Sequence, residues 1–590
     1  MLKRLLLGLP LTVIILCACI AAIIALTDYS AAKSWLDILA ADGSANGLPP
    51  VKFEAIREAA YAVLAALGLL NAGVILLRER IFGILAENAE SFRADLSIEL
   101  TLLREKLSVA PVVIVITLAV ITLAGAIPRL YYLDIPIRYD EAYTYLNYVS
   151  RPALITLSLY DAPNNHILYS LCAKLCVILF GPQEWAMRLP SLVSGVLLIP
   201  GTYLLGRAVF GSSSAGLLAA GAISGSAYLI EYSINARGYS FICLFTILLL
   251  GAAGRLASDN RNLFWWTVFI LSATAGMGSM PIMIYPLAIA CVWLVASNIS
   301  IEKRIVWNSL KPLLTALAII VVLTLLWYTP ALITGGSKTL LQSGLAERNF
   351  WHWLLEIQYL ANSFIAIANA YLPSWAIPIS IITVCVGMLK RPLLAASTLV
   401  LIVLFFVQNV APFTRVLLFL VMIYLVFAGG GIAVATEFVG RRLSLSHRLL
   451  LAAAVAIAIA CSQSVAWTVK GFPPDMDNAF RFPEAGDVAC FLDGKINESI
   501  PVLTGVPSDN PLIFYGLQHG TERMSFLSLG MVKEKYDSLW VVENQRDYKC
   551  LLATIVESNG LDTLYHSEPM LIAEFDPVRI FLFSDSIEEK

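Results

Sequence analysis

Residues 128–169 read PRLYYLDIPIRYDEAYTYLNYVSRPALITLSLYDAPNNHILY. The stretch lies between strongly apolar runs, yet it carries Arg138, Asp140, Glu141, Asp161 and His166, with tyrosine at eight positions. An Asp at the centre of a bilayer-spanning helix costs about 2.5–3.5 kcal/mol. Acids this close to apolar runs therefore either stand in water beyond the headgroups or mark a functional cavity. The course of the chain on either side decides between the two.

Of the 590 residues, 58% are hydrophobic and 14% charged. The charged share is roughly half of the about 25% usual in globular domains, which points to a polytopic membrane protein. A net charge of −2 excludes a strongly basic nucleic-acid binder. Eight of the ten cysteines lie in apolar runs, where a free thiol packs as a small hydrophobe, and no CxxC or Cys/His cluster has zinc spacing. Cys490 and Cys550 fall in the polar C-terminal region and could pair if that region is extracytoplasmic.

Hydropathy predicts thirteen spans, near 5–27, 59–77, 109–128, 188–206, 214–231, 239–256, 263–279, 281–297, 312–330, 375–389, 394–409, 413–434 and 449–467. The first is longer than the hydrophobic region of a cleaved signal peptide and reads as a signal anchor. Lys3 and Arg4 set the N-terminus inside. The 78–108 segment, with five basic residues, then falls on the cytoplasmic side as an amphipathic surface helix. Alternating onward, Arg207, Arg255, Arg261, Lys303, Lys390, Arg441 and Arg448 are also cytoplasmic, while Asp140 and Glu141 are extracytoplasmic. This alternation requires two apolar segments, 166–182 and 353–372, to lie in the outer interface rather than span.

Three regions follow: a two-helix membrane extension over 1–108, a transmembrane unit over 109–470, and an extracytoplasmic α/β unit over 471–590. In the last, strand-like runs at 501–504, 538–542 and 570–583 alternate with helix-like stretches at 484–493 and 547–557. The expected fold is thus mostly helical and polytopic, with a small C-terminal α/β domain.

Four polar clusters reach the outer face: Asp140-Glu141, Asn164-Asn165-His166, the segment Glu231–Ser240, and the segment Gln408–Arg415. Carboxylates, an imidazole and guanidiniums at one membrane surface suit base chemistry beside a phosphate-bearing lipid. Each also has a plainer reading. Asp140 could cap a helix or be a solvated acid, and Glu141 could be only its acidic neighbour. His166 could be structural, Arg237 could pair with Glu231 across its loop, and Arg415 could snorkel to headgroups. Arg188 reads as capping the span that starts at Leu189. The tyrosines from Tyr131 to Tyr148 read as an interfacial aromatic belt before a sugar platform.

The combination resembles the GT-C membrane glycosyltransferases, in the branch of protein O-mannosyltransferases and lipid A aminoarabinose transferases. Arg138-Tyr139-Asp140-Glu141-Ala142-Tyr143 matches that branch's Asp-Glu pair in its first outer loop. Asn165-His166-Ile167-Leu168-Tyr169 stands where the family has a His-Pro-Pro-Leu-Tyr-like stretch. Phe180-Gly181, Glu184 and Arg188-Leu189-Pro190-Ser191 follow the family's FG-x(2)-E-x(3)-RLPS pattern, and Tyr232–Ser240 supplies its Tyr-Ser-x-x-Ala-Arg-x-Tyr-Ser element. The likeness covers about 109–435.

It implies sugar transfer from a polyprenyl-phosphate donor to a lipid, glycan or protein acceptor on the extracytoplasmic face, in a bacterial plasma membrane. Asp140 is then the expected general base of an inverting reaction, with Glu141 beside it. Asn165, His166, Arg237, Tyr239, Lys338 and Arg415 are the expected substrate contacts, the arginines facing the departing phosphate. No cofactor is expected; Asp140, Glu141 and His166 could ligate a divalent ion, but the branch resembled here largely does without one, and no metal is assigned. The alternatives are a polyprenyl-lipid flippase, which would carry ionisable groups near the membrane midplane, and a GT-C oligosaccharide polymerase or ligase, whose site would also lie at the outer face.

Overall fold

The structure is a computed structural model. It describes residues 2–38, 50, 53–108, 111–160, 164–298, 307–335, 350–370, 372–408, 414–442, 444–471, 482–532 and 535–584.

The centre of the molecule is the helix Ser213–Gly225, built almost wholly of Gly, Ala, Ser, Leu and Ile and buried on nearly every side. A helix apolar all round belongs in a bundle interior. Around it pack Val112–Tyr131, Glu184–Phe210, Leu418–Val439 and Leu445–Lys470, and Tyr239–Leu256 lies against Glu184–Phe210. Small residues permit the close approach: a Cβ on Gly221 would sit 2.6 Å from the Ala456 carbonyl oxygen. Bilayer helices lack a hydrophobic drive toward one another, so backbone proximity and dispersion must hold them together.

Among the described residues seven helices are long and apolar enough to cross a membrane, or ten if each of three bent pairs is one span; the thirteen expected spans include shorter apolar helices that this count leaves out. The reasons are local. Ser226 ends one helix, and the chain turns by 63° into Ala227–Ser233. Met280 and Pro281 divide the 263–297 stretch into Leu263–Ser279 and Ile284–Ser297. The 17 residues of the first reach about 26 Å at 1.5 Å per residue, short of a hydrocarbon core about 30 Å thick. At Arg391 the 376–408 stretch bends by 113°. The segments expected to lie in the interface form the helices Ile167–Phe180 and Phe350–Ala368.

N-terminally, Leu2–Leu26 packs against Phe53–Leu76. The helix Arg78–Ser108 abuts the turn after residue 256: Asp95 accepts from the Leu263 N–H at 2.7 Å, and Glu99 accepts from Trp265 Nε1 at 2.9 Å.

C-terminally a five-stranded sheet has the order β2-β1-β3-β5-β4, with β1 Val502–Thr504, β2 Phe526–Leu527, β3 Leu539–Asn544, β4 Met570–Phe575 and β5 Val578–Phe583. β1 runs parallel to β2 and β3, while β5 is antiparallel to β3 and β4. The expected strands and helices fall here, and the helix Asp509–Gln518 is an addition. Its first turn, Asp509-Asn510-Pro511, reads as a turn cluster in sequence, yet Asp and Pro are both at home where helix N–H groups lack partners. Cys490 and Cys550 do not pair: both thiols are free, Cys490 exposed and Cys550 buried against Ser508. Burial pushes the Cys550 thiol up to about 11.

Candidate active site

The 132–149 segment folds over one end of the bundle and is held from below by Arg188, a fully buried guanidinium in the first turns of the helix Glu184–Phe210. Arg188 donates to the carbonyls of Leu133, Ile135 and Pro136 at 2.9, 2.6 and 3.3 Å, so three backbone acceptors of an irregular loop converge on one side chain. Its other donors reach Glu141, Nε to Oε1 at 2.8 Å and Nη2 to Oε2 at 2.6 Å, in a bidentate pair. Glu141 further accepts from the backbone N–H of Ala236 at 2.6 Å and of Arg138 at 3.0 Å. Burial alone would raise its carboxyl, but Arg188, Arg138 and the Ala236 N–H outweigh it and bring the pKa from 4.5 to about 2.

Glu141 is therefore bonded at both oxygens, and with 0% exposure it cannot meet an acceptor hydroxyl. The structure places this expected catalytic group inside the fold, where it ties the loop, the bundle and the 232–240 turn together. Arg188 does not cap the span, as expected of it, but organises the loop.

Asp140, next in sequence, is 26% exposed and faces the other way. Its Oδ2 pairs with Arg237, and Arg415 Nη1 stands 3.9 Å from the same oxygen. Asn164 donates to Oδ1 at 3.2 Å while accepting from Arg237 at 2.8 Å. Asp140 lies in the first turn of the short helix Tyr139–Thr144, and it is not the cap: Arg138 precedes the helix and its N–H is taken by Glu141. The expected Arg237–Glu231 pair does not form. Glu231 pairs instead with Arg138, both nearly buried.

The 232–240 turn is fastened at several points. Ser191, from the Arg-Leu-Pro-Ser run, donates to the Arg237 carbonyl at 2.9 Å, so two sequence motifs clasp one another directly. Gly238 donates its N–H to His166 Nδ1 at 2.8 Å, which puts the proton of the neutral ring on Nε2. A side chain at position 238 would press on His166, since a Cβ there comes within 3.2 Å of the His166 Cβ. His166 and Tyr239 meet edge to face at 5.4 Å, and the Arg237 guanidinium lies 5.2 Å from the Tyr239 ring centre. Tyr239 thus acts as a platform for Arg237.

Of the expected contacts, Arg237 and Arg415 stand at Asp140, while Tyr239 and His166 are buried behind Arg237, Tyr239 against its guanidinium and His166 against Tyr239 and Gly238. Asn165 is not at the site. It is buried and donates to the Thr156 and Leu159 carbonyls at 2.9 and 2.6 Å while accepting from Ser170, so it braces the loop. Its neighbour Asn164 is the asparagine at the site, a swap that two adjacent identical residues conceal in sequence. Lys338 and the 409–413 part of the last polar cluster lie outside the described residues. The tyrosines do not form one belt, since Tyr148 is fully buried and Tyr131 67% exposed. Arg138–Glu231 and the approach of the Asp509–Gln518 helix were not foreseen. The Glu184-to-Arg188 spacing, one helical turn, was the available signal for a shared face. Among the described residues no three His, Cys, Asp or Glu side chains converge on a possible metal position.

A family model described as dolichyl-phosphate-mannose-protein mannosyltransferase matches residues 162–328, a window that holds Asn164, Arg188 and Arg237. Across the whole fold, the chain superposes on apo ArnT from Cupriavidus metallidurans with a TM-score of 0.51 at 13% identity, covering 79% of this chain and 97% of that one. The chain shares the fold of ArnT. A second ArnT structure from the same organism, bound to undecaprenyl phosphate, gives a TM-score of 0.50 at 13% identity over 80% and 98% of the two chains. The archaeal oligosaccharyltransferase AglB from Archaeoglobus fulgidus, in complex with an inhibitory peptide and a dolichol-phosphate, is more distant: TM-score 0.40, 12% identity, 64% and 58%. No curated protein matches the sequence.

Proposed function

We propose that this GT-C protein transfers a sugar from a polyprenyl-phosphate donor to a hydroxyl acceptor at the extracytoplasmic face, with inversion, and with Asp140 as general base. The observation that carries the reading is the pairing of the accessible member of the Asp140-Glu141 pair, Asp140, with two guanidiniums, Arg237 and Arg415. The fold it shares with an ArnT that binds undecaprenyl phosphate supports the donor class.

In the proposed reaction the acceptor oxygen attacks the anomeric carbon and its proton passes to Asp140. The bond from that carbon to the phosphate oxygen breaks, and its electron pair leaves with the polyprenyl phosphate. Protonation neutralises Asp140 just as the phosphate gains charge, so the preference of Arg237 and Arg415 moves from the carboxylate to the leaving group. Electrostatic stabilisation of developing charge is commonly the largest catalytic contribution. Asn164 holds Asp140 and Arg237 in register. On this reading residues 109–470 form the catalytic unit, 1–108 a membrane extension and 471–590 an extracytoplasmic unit. The basic loops lie in the cytoplasm, as the distribution of Lys and Arg favours.

The test is transfer of labelled sugar from a polyprenyl-phosphate donor in membranes containing wild type or Asp140→Asn. A fall of about 10²–10⁴-fold is expected from loss of a general base. Wild-type rates in the variant would remove Asp140 from the chemistry. Translocation of the donor lipid without any sugar transfer would favour the flippase.

A further inference from the structure

The helix Asp509–Gln518 of the C-terminal sheet unit reaches the loop that carries Asp140. Phe514 is fully buried there, edge to face with Tyr145 at 5.0 Å, in one apolar cluster with Ile137, Ala142 and Val149. The core beneath the loop is incomplete without a residue more than 360 positions away in sequence. Beside Phe514, the Tyr515 hydroxyl accepts from the Ile137 N–H at 3.0 Å and donates to Glu184 Oε1 at 2.6 Å.

These two bonds close a circuit. Arg188 takes the carbonyls up to Pro136, Tyr515 takes the very next N–H, and Tyr515 is itself anchored on Glu184, one helical turn before Arg188. Asp140 follows Ile137 by three residues, at the start of the short helix this clamp orients. Tyr139, between them, lies beside Asn510 of the same C-terminal helix.

We propose that the C-terminal unit is a positioning component of the transferase site, acting through the Tyr515 hydroxyl on the loop that holds Asp140. The inference rests on the transferase reading above. Tyr515 touches no reacting atom. It fixes where the base stands, and displacement of a catalytic group by as little as 1 Å costs up to about 10²-fold in rate.

The test uses the full chain with two variants. Tyr515→Phe removes both bonds and keeps the ring. Gln518→Ala removes a bond at the same interface, to the Pro182 carbonyl at 2.9 Å, without touching the loop. Tyr515→Phe is expected to lower kcat about tenfold with donor KM within about twofold. Amide exchange over residues 137–142 should quicken about tenfold. Gln518→Ala should change neither. Unchanged kcat and exchange in Tyr515→Phe overturn the proposal, as does an equal loss in Gln518→Ala, which would reduce the contact to general docking. If the wild type transfers no sugar, the transferase reading fails by itself, and the exchange measurement still decides whether Tyr515 positions the loop.

Discussion

Replacing Glu141 by Gln keeps the shape of the side chain and removes its charge. The carboxylate now accepts from Arg188 twice, from Ala236 and from Arg138. An amide can serve one pair of these donors with its oxygen, but its NH2 then faces the other pair, donor against donor. Arg188 is left buried without a counter-charge, and breaking a buried pair from one side costs about 3–5 kcal/mol. The titration leads to a similar size. A carboxyl shifted from 4.5 to about 2 contributes about 3 kcal/mol when ionised. Because the folded value is the lower one, this stabilisation is complete above about pH 4.5 and is lost as the pH falls toward 2.

The readout is amide exchange at Arg138 and Ala236, whose N–H groups Glu141 holds. A loss of about 3 kcal/mol corresponds to faster exchange by about two orders of magnitude in Glu141→Gln. Thermal stability of the wild type should decline between pH 4.5 and 2, and the variant should lack that component. The double variant Glu141→Gln, Arg188→Met, which removes the stranded charge as well, should recover a large part of the stability. It should stay inactive, because the carbonyls of residues 133–136 have then lost their anchor. Exchange within threefold of wild type in the single variant, with the wild-type acid response retained, would refute the reasoning.

Arg415→Ala should lower kcat by about 10–100-fold, the worth of one charge-assisted hydrogen bond made to the leaving phosphate, while leaving thermal stability near wild type, since Arg415 is part-exposed at the edge of the cluster. Steady-state kinetics in donor concentration check this. Asn164→Ala and Asn165→Ala should separate cleanly: the first lowers kcat with little change in melting, and the second lowers stability by about 1–3 kcal/mol because it strands buried carbonyls. Paired rate and thermal-denaturation measurements distinguish them.

Much of the site was legible because its chemistry sits in short, unusual strings. Asp140 stood out as an acid beside an apolar run, and Arg237 and Arg415 as guanidiniums at the ends of other runs. What sequence could not assign was which way adjacent side chains point. In the first turn of a short helix, Asp140 and Glu141 lie about 100° apart, so one faces the opening and the other the bundle. The same ambiguity exchanged Asn164 for Asn165. Hydropathy ran one span over 214–231 although the chain bends at Ser226, since an average over about 19 residues is blind to a single kink, whereas the breaks at Pro281 and Arg391 already fell between expected spans.

The sequence by itself determined that this is an apolar helical chain whose charged groups gather in the segments between apolar runs and in the C-terminal region, because burying a charge in hydrocarbon is too costly to go unnoticed in composition. It also marked the runs that become β1, β3, β4 and β5 of the C-terminal unit, though not β2, and the motifs from which the GT-C likeness follows. Only the tertiary structure decided that Arg188, inside one of those motifs, spends its donors on the loop and on Glu141. Only it decided that Asp140 is the acid left accessible, and that a tyrosine from the far end of the chain holds the Asp140 loop in place. These are long-range pairings of buried polar groups. Each partner must be satisfied somewhere, and only the folded backbone fixes where.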